Sequence, residues 1–137
     1  MILFDTSAWI TVYRDRSGQS AKQMRAIVGG DVVATADCIV CELLQGAHDD
    51  LEWQRIEGAV SAFPTLPLSR TIWLGAAKIF HDLQRVSITV RSTIDCCIAE
   101  LALANDAKLL HVDRDFERIA MVRSLKQVRL SAAGATP

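Results

Sequence analysis

Two short apolar runs, each cut off by an aspartate, constrain the fold more than any other feature of the sequence. Met1-Ile2-Leu3-Phe4 stops at Asp5, and Lys108-Leu109-Leu110-His111-Val112 stops at Asp113. A run this short and almost continuously apolar suits a strand covered on both faces, as in a parallel sheet. Weaker strand candidates are Val32-Val33-Ala34 after the Gly29-Gly30-Asp31 turn, Thr65-Leu66 between Pro64 and Pro67, and Val128-Arg129-Leu130. Helical patterns fill the intervals: Ser20 to Val28, Ile39 to Leu44, Leu51 to Phe63, a long segment starting at the good N-cap Ser69, and Thr93 to Ala104. Strands alternating with helices predict an α/β domain with a mostly parallel sheet.

A chain of 137 residues leaves room for one domain, read here as residues 1–130, with the small, polar end 131–137 expected to be a flexible tail. Half of the residues are hydrophobic, which excludes disorder as the overall state. Charges interrupt every apolar stretch before a membrane-spanning length, and the N-terminus lacks a signal-peptide pattern, so the cytoplasm is the expected compartment. A formal net charge of -1 argues against a general cationic nucleic-acid binder. Cys38 and Cys41 form a C-x-x-C pair, but Cys96 and Cys97 are adjacent, and neighbours on a helix point about 100° apart. Both pairs lie in apolar runs, so buried thiols are favoured over zinc or a disulfide.

The placement of a few acids carries the chemistry. Asp5 and Asp113 end strands, and in parallel α/β sheets the carboxyl ends of the strands line the ligand crevice. Asp95 falls in the first turn of a helix, and Glu42 lies among Cys38, Ile39, Val40, Cys41, Leu43 and Leu44, where an acid is costly unless paired or bound to a cation. Ordinary roles exist for each. Asp5 can cap a short helix over Thr6-Ser7-Ala8-Trp9, Asp95 can answer a helix dipole, Asp113 and Asp115 can be turn and cap residues, and Glu42 can pair with an arginine. These roles explain each acid separately and leave the shared edge unexplained.

Clustered carboxylates raise one another's proton affinity unless a cation sits between them, and an all-oxygen cluster favours Mg²⁺ or Mn²⁺. Such ions can activate water in phosphodiester cleavage. Downstream, Arg114, Arg118, Arg123, Lys126 and Arg129 face only Asp115 and Glu117, a locally basic flank that suits a nucleic-acid backbone or is simply a solvated face. Other chemistries fit less well. An aspartyl phosphatase wants a second acid two residues after the first, where Ser7 stands; a phospho-receiver domain wants adjacent acids after its first strand. A metal-free ribonuclease wants convergent histidines, whereas His48, His81 and His111 are far apart in sequence and read as surface or packing residues.

Four blocks together, Ile2-Leu3-Phe4-Asp5-Thr6-Ser7, Glu42-Leu43-Leu44-Gln45-Gly46, Thr93-Ile94-Asp95-Cys96-Cys97-Ile98-Ala99 and Asp113-Arg114-Asp115-Phe116, resemble the PIN domain, and within it the VapC-type toxins of bacterial toxin–antitoxin pairs. The resemblance implies a three-layer α/β/α sandwich around a five-stranded parallel sheet and a Mg²⁺- or Mn²⁺-dependent endoribonuclease that inhibits translation. It implies that Asp5, Glu42, Asp95 and Asp113 bind the metal, with Asp115 sharing or replacing the fourth role. Thr6 and Ser7, and with less support Thr93, would hydrogen-bond the acids; Arg114 and Arg118, from the basic flank, are the candidates to meet RNA. A VapB-type antitoxin is the implied partner, with Trp9, Ile10, Val12, Tyr13 and Trp53 as contact candidates, and homodimers and larger assemblies are common in the family. The alternative function is an RNA- or ribosome-binding module that inhibits translation without cleavage; a cluster of acids is a poor way to grip phosphate.

Overall fold

The computed structural model describes residues 1–131. Within them, β1 (Ile2–Phe4), β2 (Val33–Ala34), β3 (Lys108–His111) and β4 (Gln127–Arg129) form one parallel sheet in the order β2-β1-β3-β4. Leu3 stands opposite Ala34 on one side and Leu109 on the other, and Leu110 stands opposite Val128.

Because side chains alternate across a strand, each strand feeds both faces of the sheet. Leu3, Ala34 and Leu109 belong to the larger core, with residues of α3 (Asp37–Gln45), α5 (Arg70–Arg85), α6 (Thr93–Ala104) and α7 (Arg114–Ile119). Ile2, Phe4 and Leu110 belong to a smaller one, closed by Ala8, Val12, Met24 and Ile27 from α1 (Thr6–Arg14) and α2 (Gln19–Val28). The three-layer α/β/α arrangement follows from these two cores. The remaining helix, α4 (Asp50–Val60), packs on α3.

The apolar spacing read from the sequence locates the helices well. Ser69 caps α5 by accepting from the Ile72 amide, and Ile72, Ala76, Ile79 and Leu83 form its buried stripe. Helix α6 occupies Thr93–Ala104 as expected and buries six residues from Cys96 to Ala102. Helix α1 runs to Arg14, well past Trp9. Thr11 and Val12 are poor helix formers by propensity, but packing of α1 against the sheet overrides that preference.

The expected fifth strand is absent among the described residues. Thr65-Leu66 contributes one parallel bridge, Thr65 to Thr35, held by the Thr35 amide to the Pro64 carbonyl (2.9 Å) and the Leu66 amide to the Thr35 carbonyl (2.8 Å). Proline at 64 and 67 offers no N–H, so the ladder has nothing to extend with on either side. Ser131 is tied to Gln23, whose Oε1 accepts from the Ser131 amide at 3.1 Å; the rest of the expected tail lies outside the described residues. No helix among the described residues is long and apolar enough to cross a membrane.

Candidate metal centre at the carboxyl edge of the sheet

A parallel sheet directs the carboxyl ends of all its strands to one edge, and the acids assemble there. Asp5 follows β1 directly and caps α1. Its Oδ2 accepts from the Ser7 amide (3.0 Å) and the Ser7 hydroxyl (2.5 Å). Asp113 follows β3 and caps α7, its Oδ1 accepting from the Asp115 amide at 2.9 Å. Capping and clustering are therefore properties of the same side chains, because a residue that joins a strand end to a helix start sits on this edge by construction. Asp95 comes from the first turn of α6, and Glu42 from α3, where Oε1 accepts from the Thr6 hydroxyl at 2.8 Å. One carboxylate oxygen each from Asp95, Asp113 and Asp115 lies within 4.8 Å of the others.

The acids feel one another. Burial first, then the charges of Asp5, Asp113, Asp115 and Glu42, push the Asp95 carboxyl up to about 7. Burial also raises Asp5, against the hydrogen bonds from Ser7 and Thr6, and Asp113 adds to the rise. Glu42 is raised by burial, opposed by the Thr6 hydroxyl, with Asp5 adding to the rise. Two more groups organise the edge. The Ser7 hydroxyl accepts from the Val112 amide at 2.9 Å while donating to Asp5, so it links the two strand ends. His111 is fully buried; its Nδ1 accepts from the Asp113 amide at 3.1 Å, which places the ring proton on Nε2, 2.6 Å from Gln127 Oε1.

On the other side of the cluster stand arginines, one of which sequence reasoning passed over. Arg91, in the loop before α6, places Nη2 at 3.2 Å from both oxygens of Asp113 and Nε at 3.4 Å from Asp115 Oδ2. Arg118 Nη1 donates to Asp115 Oδ1 at 2.6 Å. Burial works to raise Asp115, but the Arg91 amide, Arg118 and the Arg91 guanidinium outweigh it and hold the carboxyl below its ordinary range. Arg91 escaped notice because its partners are 22 and 24 residues away in sequence; an arginine just before the acid-bearing helix was the only local signal.

Other expected residues divide. Thr93 is exposed, and among the described residues no side-chain hydrogen bond joins it to Asp95; Ser92 caps α6 instead. Most of the basic flank is internally paired: Arg123 with Asp82, Lys126 with Asp106 and Arg129 with Glu117. Arg114 makes no ion pair among the described residues. Trp9, Ile10 and Tyr13 line a groove of about 120 Å³ between α1, α3 and α4, with Glu42 in its wall, whereas Val12 packs on the sheet and Trp53 lies outside the lining. Cys96 and Cys97 are buried, Cys38 is half-buried and Cys41 is exposed, all as free thiols. His48 and His81 are exposed.

A set of hard oxygen donors short of positive charge fits a divalent cation such as Mg²⁺ or Mn²⁺. The proton held by Asp95 near neutrality marks the same deficit.

A parallel sheet in an α/β/α sandwich with acids converging on its carboxyl edge is the architecture of the PIN-domain class, and the PIN domain family model matches residues 2–122. VapC ribonuclease Mb1587 of Mycobacterium bovis is 36% identical over 129 residues, covering 92% of this chain and 96% of that protein. Ribonuclease VapC11 of Mycobacterium tuberculosis matches to the same extent. The chain belongs to the VapC ribonucleases of the PIN-domain family. The fold agrees with that of VapBC2 from Rickettsia felis bound to a DNA fragment from its promoter, at a TM-score of 0.78 and 17% identity, covering 96% of this chain and all of that one. VapBC-1 from nontypeable Haemophilus influenzae superposes at a TM-score of 0.77 and 21% identity, covering 95% and 98%.

Proposed function

We propose that this chain is the toxin of a toxin–antitoxin pair, a Mg²⁺- or Mn²⁺-dependent endoribonuclease that inhibits translation and is neutralised by a VapB-type antitoxin. The support for this reading is the cluster of Asp95, Asp113 and Asp115 at the carboxyl edge of the sheet, with Asp5 and Glu42 near enough to help push the Asp95 carboxyl up to about 7. Asp5, Glu42, Asp95 and Asp113, with Asp115 beside them, are the groups that hold the metal. When bound, it supplies Lewis-acid stabilisation of the phosphate and a reactive water at neutral pH.

The chain's own residues supply position. Ser7 and Thr6 fix the rotamers of Asp5 and Glu42, and His111 fixes the Asp113 backbone, so the donor set is preorganised. Arg114, free of internal ion pairs among the described residues, stands beside Asp113 where a phosphate of the RNA would approach. The groove bordered by Trp9, Ile10 and Tyr13 has Glu42 in its wall, so an antitoxin segment seated there meets one of the acids directly.

Total cellular RNA incubated with the purified chain, free of any partner, tests the reading. Discrete fragments with 5′-phosphate and 3′-hydroxyl ends are expected in Mg²⁺ or Mn²⁺, and none in EDTA or with Asp5→Ala. Cleavage that persists in EDTA, or products ending in 2′,3′-cyclic phosphate, would remove the acids from the chemistry. RNA binding without cleavage in any metal would make the chain a binding module.

A further inference from the structure

Arg91 holds the two acids in unequal ways. Asp115 is fully buried and has a second guanidinium, Arg118 at 2.6 Å, besides the Arg91 amide at 3.1 Å. It stays neutralised whatever the Arg91 side chain does. Among the described residues Asp113 has no cation but the Arg91 guanidinium, which meets both of its oxygens. The backbone of Arg91 is anchored through its amide, but 78% of its side chain is exposed, so it can rotate away without opening a cavity. The Asp113 pair is open to solvent and weak. Turning outward also gives up the 3.4 Å contact of Nε with Asp115 Oδ2, which keeps the Arg91 amide. A divalent ion competing for Asp113 therefore displaces the side chain at modest cost.

Arg91 lines a pocket of about 290 Å³ in which Arg114, Arg118 and Arg129 stand beside Asp113 and Asp115. Arg118 and Arg129 are paired with Asp115 and Glu117, so Arg114, and Arg91 once it leaves Asp113, are the donors open to an anion. A guanidinium presents a planar fork that matches two phosphate oxygens.

We propose that Arg91 is a resident counterion that holds Asp113 until a divalent cation takes its place, and then turns outward to grip a phosphate of the RNA. This rests on the reading of the acids as a metal centre.

Calorimetric titration with Mn²⁺ alone separates the possibilities. Arg91→Gln should bind Mn²⁺ about threefold to tenfold more tightly than wild type, because a weak competitor has gone. Arg114→Gln, which removes the same charge nearby without touching an acid, should shift the affinity less than about twofold, as expected for a screened surface charge. Arg91→Lys, which keeps the charge, should fall between wild type and Arg91→Gln, and it serves if the glutamine variant fails to fold. In Ca²⁺, with the RNA checked to be intact, Arg91→Gln should bind a short labelled single-stranded RNA more weakly. Its salt dependence should fall by about one unit of slope, the signature of one lost phosphate contact.

Weaker Mn²⁺ binding together with a lower melting temperature would make Arg91 a structural clamp and overturn the proposal. Unchanged Mn²⁺ affinity would overturn it as well. Tighter Mn²⁺ binding with unchanged RNA binding would overturn the phosphate role. If wild type binds no Mn²⁺, the metal-centre reading falls and takes the proposal with it; if wild type binds normally, only the role of Arg91 is at stake.

Discussion

Asp5 and Asp115 are both buried, at 4% and 0% exposure, yet their proton affinities move in opposite directions. Asp115 is surrounded by the guanidiniums of Arg91 and Arg118 and the Arg91 amide. Asp5 has the Ser7 hydroxyl and backbone amides, and looks toward other acids. Burial alone therefore does not decide the state of an acid here; the charge of its neighbours does. One half of the cluster is neutralised by the chain, and the other, Asp5, Glu42 and Asp95, is left to be neutralised by protons or by a metal.

The sharpest way to test this division is Asp95→Asn. Cleavage of RNA in Mg²⁺ should fall by about a thousandfold, since several kcal/mol of charge stabilisation depend on the site. The metal-free variant should nonetheless melt a few degrees higher than wild type, because a neutral amide removes the cost of burying a charge there and then the repulsion from Asp5, Asp113, Asp115 and Glu42. A variant that loses both activity and stability would break the comparison.

On the paired half the sign reverses. Asp115→Ala removes an acceptor used by Arg118 and by the Arg91 amide and guanidinium, and should cost about 2 kcal/mol in denaturant unfolding of the metal-free chain. An unchanged midpoint would mean that the arginines were not neutralising Asp115 to any effect.

The smallest expected effect is in the pH dependence. Asp95, Asp5 and Glu42 bind protons more tightly in the folded chain than in the unfolded one. Between the ordinary aspartate value of 3.8 and about 7, Asp95 carries more proton when folded, so its contribution to metal-free stability falls as pH rises through that window. Asp115, with its lowered value, contributes stability that is lost only as pH drops below the ordinary range. The melting temperature of metal-free protein should thus decline from about pH 5 to about pH 8, and saturating Mg²⁺ should flatten the decline. A flat metal-free profile would sink the assignment of Asp95 as the uncompensated acid.

What was legible in the sequence follows the same physics. Asp5 and Asp113 could be found because each interrupts an apolar strand, and Glu42 because an acid in an apolar helix needs a reason. Arg91 and His111 could not, because their roles depend on contacts made across the fold rather than on local pattern. The histidine read as a packing residue is one, yet its Nδ1 also holds the Asp113 amide in place. The fifth strand failed for a local reason: the apolar pattern of Thr65-Leu66 was visible, but the flanking prolines limit it to a single bridge.

The Ser7 hydroxyl joins Asp5 to the amide of Val112, 105 residues further along the chain, and β1 finds its central neighbour only in residues 108–111. The order of synthesis therefore becomes the order of assembly. Before residues 108–113 are made, Asp5 and Glu42 can already be joined through Thr6 and the β1–β2 pairing, but Asp113 and the Val112 amide that binds Ser7 are still missing from the edge. The acid edge closes only when β3 slides in beside β1, a pairing of residues more than a hundred positions apart along the chain.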